Sequence, residues 1–255
     1  MPTPITKILA ELDDLLEPGR FQDYGPNGLQ VPGPDEITTL ATGVSASAEL
    51  FELAAAEQAN LVLVHHGLFW GSGPGPIDAQ LKRRLQLLFD ADMALAAYHL
   101  PLDAHPRLGN NALLAQALGA ECLDEPFGLH VGETIGTLAR FPGDGIPISE
   151  LVSRAQTVTE REPLVFEAGP AQVRTIALVT GGGVDYLGEA ARAGADAFVT
   201  GEPSERVMAQ ARELAIHFIA AGHYATETFG VRALGQHLGD RFGLRHVFLD
   251  VPNPI

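Results

Sequence analysis

The chain has 255 residues, with 16 Lys and Arg against 32 Asp and Glu, a formal charge of −16, and 46% of its residues are hydrophobic. This composition is globular, and the acidic balance argues against nucleic acid or an anionic membrane surface as a partner, because both require clustered cations. The single cysteine, Cys122, excludes an intrachain disulfide framework and a cysteine-based zinc knuckle. A metal site would therefore be built from the nine histidines and the surplus carboxylates.

No targeting or membrane-spanning segment is expected from the sequence. Residues 1–16 alternate acidic residues with leucines and lack the basic start and apolar run of a signal peptide. No stretch approaches the roughly 18 uninterrupted apolar residues that suggest a membrane-spanning helix. The expected compartment is therefore the cytoplasm, with no membrane partner.

The first half alternates helices with strands, and its later strands end near histidines. Helical spacing of apolar residues opens the chain, and a Gly/Pro-rich stretch follows at 18–34. The predicted elements are a helix over 5–16, a strand over 39–45, a helix over 48–59, a strand over 61–64, a helix over 79–90, a strand over 93–98 and a helix over 111–118.

The second half repeats this order after an intervening region, 120–173. The stretches 40–66 and 176–202 have the same length and align without a gap. The elements predicted from the intervening region onward are a strand over 133–140, a helix over 148–159, strands over 163–168 and 175–179, a helix over 185–193, a strand over 197–200, a helix over 204–214, a strand over 216–221 and a helix over 226–238.

Strands that alternate with helices of this length indicate βαβ units, which form largely parallel sheets covered by helices. We therefore predict an α/β protein of two related halves, residues 1–125 and 126–255. Functional groups in such folds gather at the carboxyl ends of strands. Because the candidate ligands described below follow strands in both halves, a metal site is expected at the interface of the halves.

Two adjacent histidines follow the apolar strand over 61–64. For both rings to serve one site, His65 and His66 must turn out of the pleat, and Gly67 is expected to permit that turn. The alternative is that one ring is packed and the other solvated, since histidines are often only partly buried.

Two further histidines each precede an acid by four residues. His223 and Glu227 stand at a predicted helix start, where this spacing places both side chains on one face and suits chelation. A surface ion pair is the alternative. His99 and Asp103 are expected in a loop, because Pro101 disfavours helix at the residue before it. For Asp103 the alternative is a helix or turn cap.

Five of these side chains suit a pair of divalent ions. Imidazole and carboxylate ligands favour Zn, Mn or Fe(II), and a carboxylate can bridge two ions, which lie about 3.5–4 Å apart in two-metal sites. Because all five follow predicted strands in matching halves, one shared site is favoured over five separate features. The candidate ligands are His65, His66, Asp103, His223 and Glu227.

Three weaker signals leave alternatives open. Glu202 stands at the repeat position equivalent to His66 and is predicted to act as an acid or base near the metals or, the favoured alternative, to satisfy a helix N-terminus. The loop 180–183, TGGG, follows a predicted strand and precedes a helix, so its amides are expected either to cradle a phosphate or, the favoured alternative because no phosphate-binding motif matches, to form a tight strand-to-helix turn. Phe69 and Trp70 are expected to stack on a base, to pack against apolar neighbours or to form a subunit contact.

Six short motifs span nearly the whole chain: DYGPNGLQV (23–31), LVLVHHGLFW (61–70), YHLPLDAH (98–105), FVTGEPSE (198–205), AAGHYATETFGVRAL (220–234) and DVPNPI (250–255). Within them, HHG, LDAH and GHYATE are specific in combination. Together the motifs resemble the NIF-three-like dinuclear metal-centre family, whose bacterial members are often labelled GTP cyclohydrolase 1 type 2 homologues.

The resemblance implies a role for each of the five candidate ligands. It maps them onto the family's metal ligands, with Glu227 expected to bridge the ions, and it places His99 near the metals but outside the ligand set. It also implies the short form of the family, which lacks a long inserted domain, and assembly into a toroidal homohexamer.

The function implied by the resemblance is a metal-dependent hydrolase that acts on a purine nucleotide. The reaction is attack at C8 of the guanine in GTP, which opens the imidazole ring and releases formate, with His99 and Glu202 as candidate proton shuttles. The alternatives are a metal-binding adaptor or assembly protein without turnover of its own, and a phosphoester hydrolase that uses the same centre.

Overall fold

A computed structural model describes residues 2–71 and 75–255 of the chain. The strands are β1 (Thr3–Pro4), β2 (Gly28–Val31), β3 (Glu36–Ile37), β4 (Thr39–Ser45), β5 (Leu61–His66), β6 (Ala94–Ala97), β7 (Glu121–Cys122), β8 (Leu129–His130), β9 (Glu133–Thr134), β10 (Thr137–Arg140), β11 (Ile146–Pro147), β12 (Leu164–Phe166), β13 (Gln172–Val173), β14 (Thr175–Val179), β15 (Ala197–Thr200), β16 (His217–Ala220) and β17 (Arg245–Phe248).

Helices separate most of these strands. They are α1 (Ile5–Leu16), α2 (Ala48–Ala56), α3 (Ala79–Asp90), α4 (Leu100–Ala104), α5 (Asn110–Ala117), α6 (Ile148–Thr159), α7 (Leu187–Arg192), α8 (Val207–Leu214), α9 (His223–Thr226) and α10 (Thr228–Phe242), with short 3-10 helices at Pro18–Arg20 and Gly183–Tyr186.

Helical spacing of apolar residues predicts three helices with the bounds that the structure shows, α1, α3 and α6. In α1 the buried residues recur every three or four positions, as one face of an amphipathic helix requires. They are Ile5, Ile8, Leu12 and Leu16.

The first large sheet has the strand order β17-β4-β5-β6-β2. Strands β17, β4, β5 and β6 are parallel, and β2 is an antiparallel edge strand. The apolar part of β5, residues 61–64, is fully buried, as is typical of a parallel strand covered on both faces. Helix α2 contributes Leu50 and Phe51 to the same core cluster as Val62 and Val64.

The second large sheet has the order β12-β16-β15-β14-β10-β7. Its three central strands, β14, β15 and β16, are parallel, and β12, β10 and β7 pair antiparallel. Helix α6 packs Leu151 and Ala155 into a core cluster with Ile176, Val199 and Ile219 of the central strands.

The two large sheets are built from a longer repeat than the sequence pattern indicates. Each repeat starts with a short strand, a 12-residue helix and an antiparallel edge strand, and continues with a second short strand and three parallel strands. The short strands pair with each other in both repeats, β1 with β3 and β11 with β13. The predicted α/β architecture of two related halves is therefore confirmed, although several pairs are antiparallel.

The chain divides into two compact units that differ from the expected halves. The first unit is Met1–Leu102 with Gly230–Val251, and the second is Asp103–Phe229 with Pro252–Ile255. The predicted boundary near residue 125 does not separate these units. Strand β7 precedes that residue but pairs with β10 of the second sheet, and β17 lies near the end of the chain but pairs with β4 of the first sheet. The strands that were not predicted from the sequence include β2, within the Gly/Pro-rich stretch 18–34, and β17, near the end of the chain.

Candidate metal centre

Three histidines of the first unit converge at the carboxyl ends of β5 and β6. His65 and His66 are the last two residues of β5, and His99 follows β6. Their ring centroids lie 4.7 to 5.4 Å apart, and one ligand atom from each ring lies within 4.8 Å of the other two. His65 is fully buried, whereas His66 is half-buried. The sequence predicts both rings of β5 at one site, and the structure brings His99 to the same place.

The structure gives glycine at position 67 a different role from the predicted one. Both histidines belong to β5, and the φ of Gly67 is not positive. A Cβ at Gly67 would instead lie 2.3 Å from Nε2 of Gln30, and the Gln30 Oε1 accepts a hydrogen bond from the Leu68 N–H at 2.8 Å. Glycine at this position leaves room for the Gln30 side chain, which would have to shift to accommodate a Cβ.

Hydrogen bonds fix the orientation of the two rings on β5. The His65 Nδ1 donates to the carbonyl oxygen of Tyr98 at 3.1 Å, and the His66 Nδ1 is hydrogen-bonded to the Ser45 hydroxyl at 2.9 Å. A carbonyl oxygen only accepts, so Nδ1 of His65 carries the proton and Nε2 is the ring nitrogen that could ligate a metal ion. The Tyr98 hydroxyl donates to Asp13 at 2.7 Å, and burial together with Asp13 raises the pKa of Tyr98.

A buried carboxylate that sequence reasoning assigned no role holds the third ring. The Asp23 side chain is 2% exposed and accepts a hydrogen bond from Nδ1 of His99 at 2.7 Å. It also accepts from the Leu100 N–H and the Asn27 amide, both at 2.9 Å. Burial alone would raise the pKa of Asp23, but the hydrogen bond and the charge of His99 outweigh it and lower that pKa. The only signal for Asp23 in the sequence is its place in the motif DYGPNGLQV.

Helix α9 in the second unit presents a second set of donors. It begins at His223, and Glu227 follows its last residue, so Nε2 of His223 lies 3.1 Å from Oε2 of Glu227. Nδ1 of His223 donates a short hydrogen bond to Glu202. Burial lowers the pKa of His223, but the hydrogen bonds and charges of Glu227 and Glu202 raise it to about 9. The predicted sharing of one face by His223 and Glu227 is confirmed.

The role favoured for Glu202 from the sequence, satisfying a helix N-terminus, is wrong. The following helix, α8, begins at Val207 with Arg206 as its N-cap, not at the predicted residue 204. The carboxylate of Glu202 instead orients His223, as acids commonly orient histidines that bind metals.

Asp103 is the last of the five predicted ligands, and it lies in a helix instead of the expected loop. Pro101 stands in the first turn of α4, a position where proline needs no N–H donor, so it starts the helix and does not prevent it. The Asp103 side chain is buried, and its Oδ1 accepts hydrogen bonds from the Asn110 amide at 2.8 Å and the Thr180 hydroxyl at 3.3 Å.

The TGGG loop packs directly against His223 and Glu227. A Cβ at Gly181 would lie 2.1 Å from Oε1 of Glu227 and 3.0 Å from Nε2 of His223, and the φ of Gly181 is +61°. The Gly181 N–H donates to the Thr226 hydroxyl at 3.1 Å. The predicted tight turn is present, and it also shapes the surroundings of these two side chains.

Four other histidines make hydrogen bonds outside the candidate site. His105 accepts from the Leu108 N–H at 2.9 Å, and His217 donates to the Pro170 carbonyl at 2.7 Å. In the first unit, His237 contacts Glu11 and His246 contacts Thr42, at 3.0 and 2.8 Å.

The side chains fit divalent metal ions by their chemistry. Each unit offers imidazole nitrogen whose orientation is held by hydrogen bonds, and the second adds the buried carboxylates of Asp103 and Glu227. Such nitrogen and oxygen donors suit Zn, Mn or Fe(II).

Among the described helices, none combines the length and the apolar character that a bilayer crossing demands.

The chain belongs to the Duf34/NIF3 (NGG1p interacting factor 3) family, whose sequence profile matches residues 3–254. It is 44% identical to a protein of Pseudomonas aeruginosa named "GTP cyclohydrolase 1 type 2 homolog", over the whole of both chains. A Yersinia pestis protein of the same name is also 44% identical, over 95% of this chain and 96% of its own. The resemblance found in the motifs is thus confirmed.

Solved structures agree with the family assignment. A protein titled "Structural genomics, protein ybgI, unknown function" superposes with a TM-score of 0.92 at 39% identity, covering 99% of this chain and 100% of that one. The Thermus thermophilus protein TTHA1606 superposes with a TM-score of 0.89 at 40% identity, with the same coverage.

Proposed function

We propose that this protein binds two divalent metal ions and is a metal-dependent hydrolase of a purine nucleotide. The location of the metals at the interface of the two halves, expected from the sequence, stays a prediction. The proposed ligands are His65, His66, Asp103, His223 and Glu227.

The observation that carries the proposal is the way the imidazoles are held. Nδ1 of His65, His66 and His223 is hydrogen-bonded to Tyr98, Ser45 and Glu202, respectively. Metal-binding histidines characteristically have their second ring nitrogen fixed in this way, because the hydrogen bond sets the tautomer and the direction of the lone pair. A set of merely structural histidines would not require the same arrangement in all three.

The residues around the proposed centre have separate roles in the proposed reaction. Bound divalent ions supply Lewis acidity and lower the pKa of water. His99, with Nδ1 on the buried Asp23, is a histidine–carboxylate pair that can accept and return a proton, and we assign proton transfer to it. Glu202 holds the His223 ring through Nδ1, and we assign it the orientation of that ring.

The purine nucleotide is supported by the names of the relatives, "GTP cyclohydrolase 1 type 2 homolog". For this chain we propose hydrolytic opening of the guanine imidazole ring at C8 with release of formate. Cytoplasmic location and a toroidal homohexamer, both expected from the sequence analysis, stay predictions.

Metal analysis of protein purified without chelator, followed by turnover assays, tests the proposal. After reconstitution with Mn, Zn or Fe, we expect two ions per chain. His65→Ala and Glu227→Ala are expected to lose metal and turnover of GTP, whereas His237→Ala and Glu205→Ala, a structural histidine and an exposed acid, retain both.

Each outcome of this test is decisive. Fewer than one ion per chain after reconstitution contradicts the two-metal site. Two ions without turnover across nucleotides and phosphoesters favour the adaptor function over the hydrolase, and turnover of phosphoesters alone favours the phosphoester hydrolase. Full turnover in His65→Ala and Glu227→Ala contradicts the assigned ligands.

A further inference from the structure

Two exposed aromatic side chains of the first unit border the histidine cluster at the ends of β5 and β6. The ring centroid of Trp70 lies 5.4 Å from that of His99 and 5.7 Å from that of His66. The ring of Tyr24 meets His99 in an edge arrangement, with centroids 6.0 Å apart. Trp70 is 47% exposed and Tyr24 is 55% exposed. The rings thus form one series that begins at the fully buried His65 and ends at two side chains open to solvent.

This position distinguishes Tyr24 and Trp70 from the other exposed aromatic side chain described in the first unit. Phe89 of α3 is 60% exposed, and among the residues that the structure describes no ring contact joins it to the cluster. A single exposed apolar side chain is ordinary on a protein surface. Exposed aromatic rings beside a few convergent polar groups are instead typical of the lining of a small-molecule site.

The backbone fixes the places of the two aromatic residues relative to each other. The Gly71 N–H donates to the carbonyl oxygen of Tyr24 at 2.6 Å and so joins the segment after Trp70 to the segment around Tyr24. A Cβ at Gly25 would lie 2.5 Å from the carbonyl oxygen of Phe69, and glycine permits this close approach of two backbones. A ligand that contacts these residues therefore does not have to order their backbone, which favours binding.

The buried Asp23 connects this pair of segments to the histidine cluster. Its Oδ1 accepts hydrogen bonds from the Tyr24 N–H at 2.6 Å and from Nδ1 of His99 at 2.7 Å. The same carboxylate therefore orients His99 and holds the residue whose ring lies against it.

We propose that Trp70 and Tyr24 form the platform on which the purine base of the substrate stacks beside His99. The faces of aromatic side chains attract the π-face of a nucleobase, and a purine offers a large planar surface for this contact. A base stacked there lies beside His99, to which proton transfer is assigned, and beside His66, a proposed ligand. Stacking requires no cationic patch, which suits a chain with a net charge of −16.

The inference rests on the proposed function for the substrate class, a purine nucleotide, but it requires only binding and no turnover. Its test uses the fluorescence of Trp70, because the sequence contains one tryptophan. Guanosine, which carries the base without a phosphate, and ribose 5-phosphate, which carries the sugar phosphate without a base, are each titrated into the metal-loaded protein. Fluorescence reports contact with the ring, and calorimetry measures the affinity of every variant.

Guanosine is expected to quench the fluorescence of the wild type, and ribose 5-phosphate is expected to leave it unchanged. Trp70→Leu keeps an apolar side chain without a ring and should weaken guanosine binding about tenfold to a hundredfold, the usual effect of losing a stacked aromatic side chain. Trp70→Phe and Tyr24→Leu should weaken it less. The matched control is Phe89→Leu, which removes the exposed ring outside the cluster and should bind guanosine as the wild type does. Ribose 5-phosphate should bind all the variants equally.

Several results would overturn the inference. They are a wild type that does not bind guanosine, guanosine bound without quenching, and Trp70→Leu that binds guanosine as tightly as the wild type. Loss of metal from Trp70→Leu would assign the ring to support of the histidines. A changed subunit number in Trp70→Leu, with guanosine affinity retained, would assign it to a contact with another copy. Either result also overturns the inference.

Failure of the proposed function gives a different pattern. If the protein retains no metal after reconstitution, the titrations are made on the metal-free protein. Guanosine binding that depends on Trp70 then still supports the inference, as it does where GTP binds without turnover. If the wild type and Trp70→Leu turn over GTP with the same KM, the proposed function stands and the inference is wrong.

Discussion

The two repeats use the same framework to present different chemistry. In the gapless alignment of 40–66 with 176–202, His65 and His66 at the end of β5 correspond to Gly201 and Glu202 after β15. One unit thus offers adjacent imidazoles where the other offers a glycine and a carboxylate. The carboxyl end of a parallel strand determines where a side chain is presented, while the residue type at that position determines which atom it offers.

Both repeats also support a histidine that follows the third parallel strand, but with different residues. His99 donates from Nδ1 to Asp23, which precedes β2, whereas His223 donates from Nδ1 to Glu202, which follows β15. The acids come from places that do not correspond in the repeat, yet each engages the same ring nitrogen. The same contact is therefore produced by non-equivalent residues in the two units.

The largest expected difference between the units concerns their cores. Phe198 and Val62 occupy equivalent positions of β15 and β5, and both are fully buried. Phe198 packs between Phe127 and Phe218, with ring centroids 6.4 and 6.1 Å away. Phe198→Ala should lower the free energy of unfolding by about 3–5 kcal/mol, and Val62→Ala by only about 2 kcal/mol. Denaturant unfolding followed by circular dichroism measures both, and equal losses would contradict the larger aromatic core of the second unit.

The two histidine–carboxylate pairs should respond differently when the acid is neutralised. Glu202→Gln is expected to weaken metal binding about 10- to 100-fold, because it releases the ring of a proposed ligand. Asp23→Asn is expected to retain the metal and to lose turnover, because His99 is assigned proton transfer. Metal titration and steady-state kinetics on each variant separate the effects. Loss of metal in Asp23→Asn would make His99 a ligand instead.

Two neighbouring glycines of the TGGG loop provide a matched pair with a smaller effect. Gly181→Ala places a Cβ against Glu227 at a φ of +61°, whereas Gly182→Ala meets no atom within 4 Å and its φ is −82°. We expect Gly181→Ala to cost about 1–2 kcal/mol of stability from the left-handed backbone and to weaken metal binding by displacing Glu227. Gly182→Ala should change neither. If the two variants bind metal equally, the loop does not shape the site.

The smallest expected effect lies at the surface of the first unit. Glu11 of α1 accepts hydrogen bonds from His237 and Arg241 of α10, at 3.0 and 3.2 Å, and the hydrogen bond from His237 in particular lowers its pKa. In the equivalent helix α6, Glu150 pairs with Arg154 of the same helix. A carboxyl whose pKa is lowered by folding stabilises the protein above its unfolded pKa, and this contribution is lost as the pH falls through the folded pKa.

Glu11→Gln should therefore reduce the decline of the unfolding midpoint below about pH 4.5, the ordinary value for glutamate. Thermal unfolding from pH 7 to pH 3 measures this, with Glu150→Gln for comparison. If the unfolding midpoint of Glu11→Gln declines below pH 4.5 as steeply as that of the wild type, the contact between α1 and α10 contributes no stability.

Much of the fold could be predicted because it depends on local pattern. The apolar spacing of α1 and the continuous apolar run of β5 are each complete within a short segment, so their position follows from nearby residues. The candidate ligands stood out because they follow such strands. By contrast, α4 was missed because a rule for the residue before proline was applied where Pro101 lies in the first turn of a helix.

The residue types, their spacing and the repeat determined the α/β class and the five candidate ligands from the sequence alone. Only the tertiary structure revealed the pairing of β17 with β4, the contact of Asp23 with His99 and the packing of Gly181 against Glu227. Each of these joins residues far apart in the chain, and neither partner carries a local signal of the other. The acidic composition with its nine histidines indicated which donors were present, and the fold decided which ring nitrogens are held in place to use them.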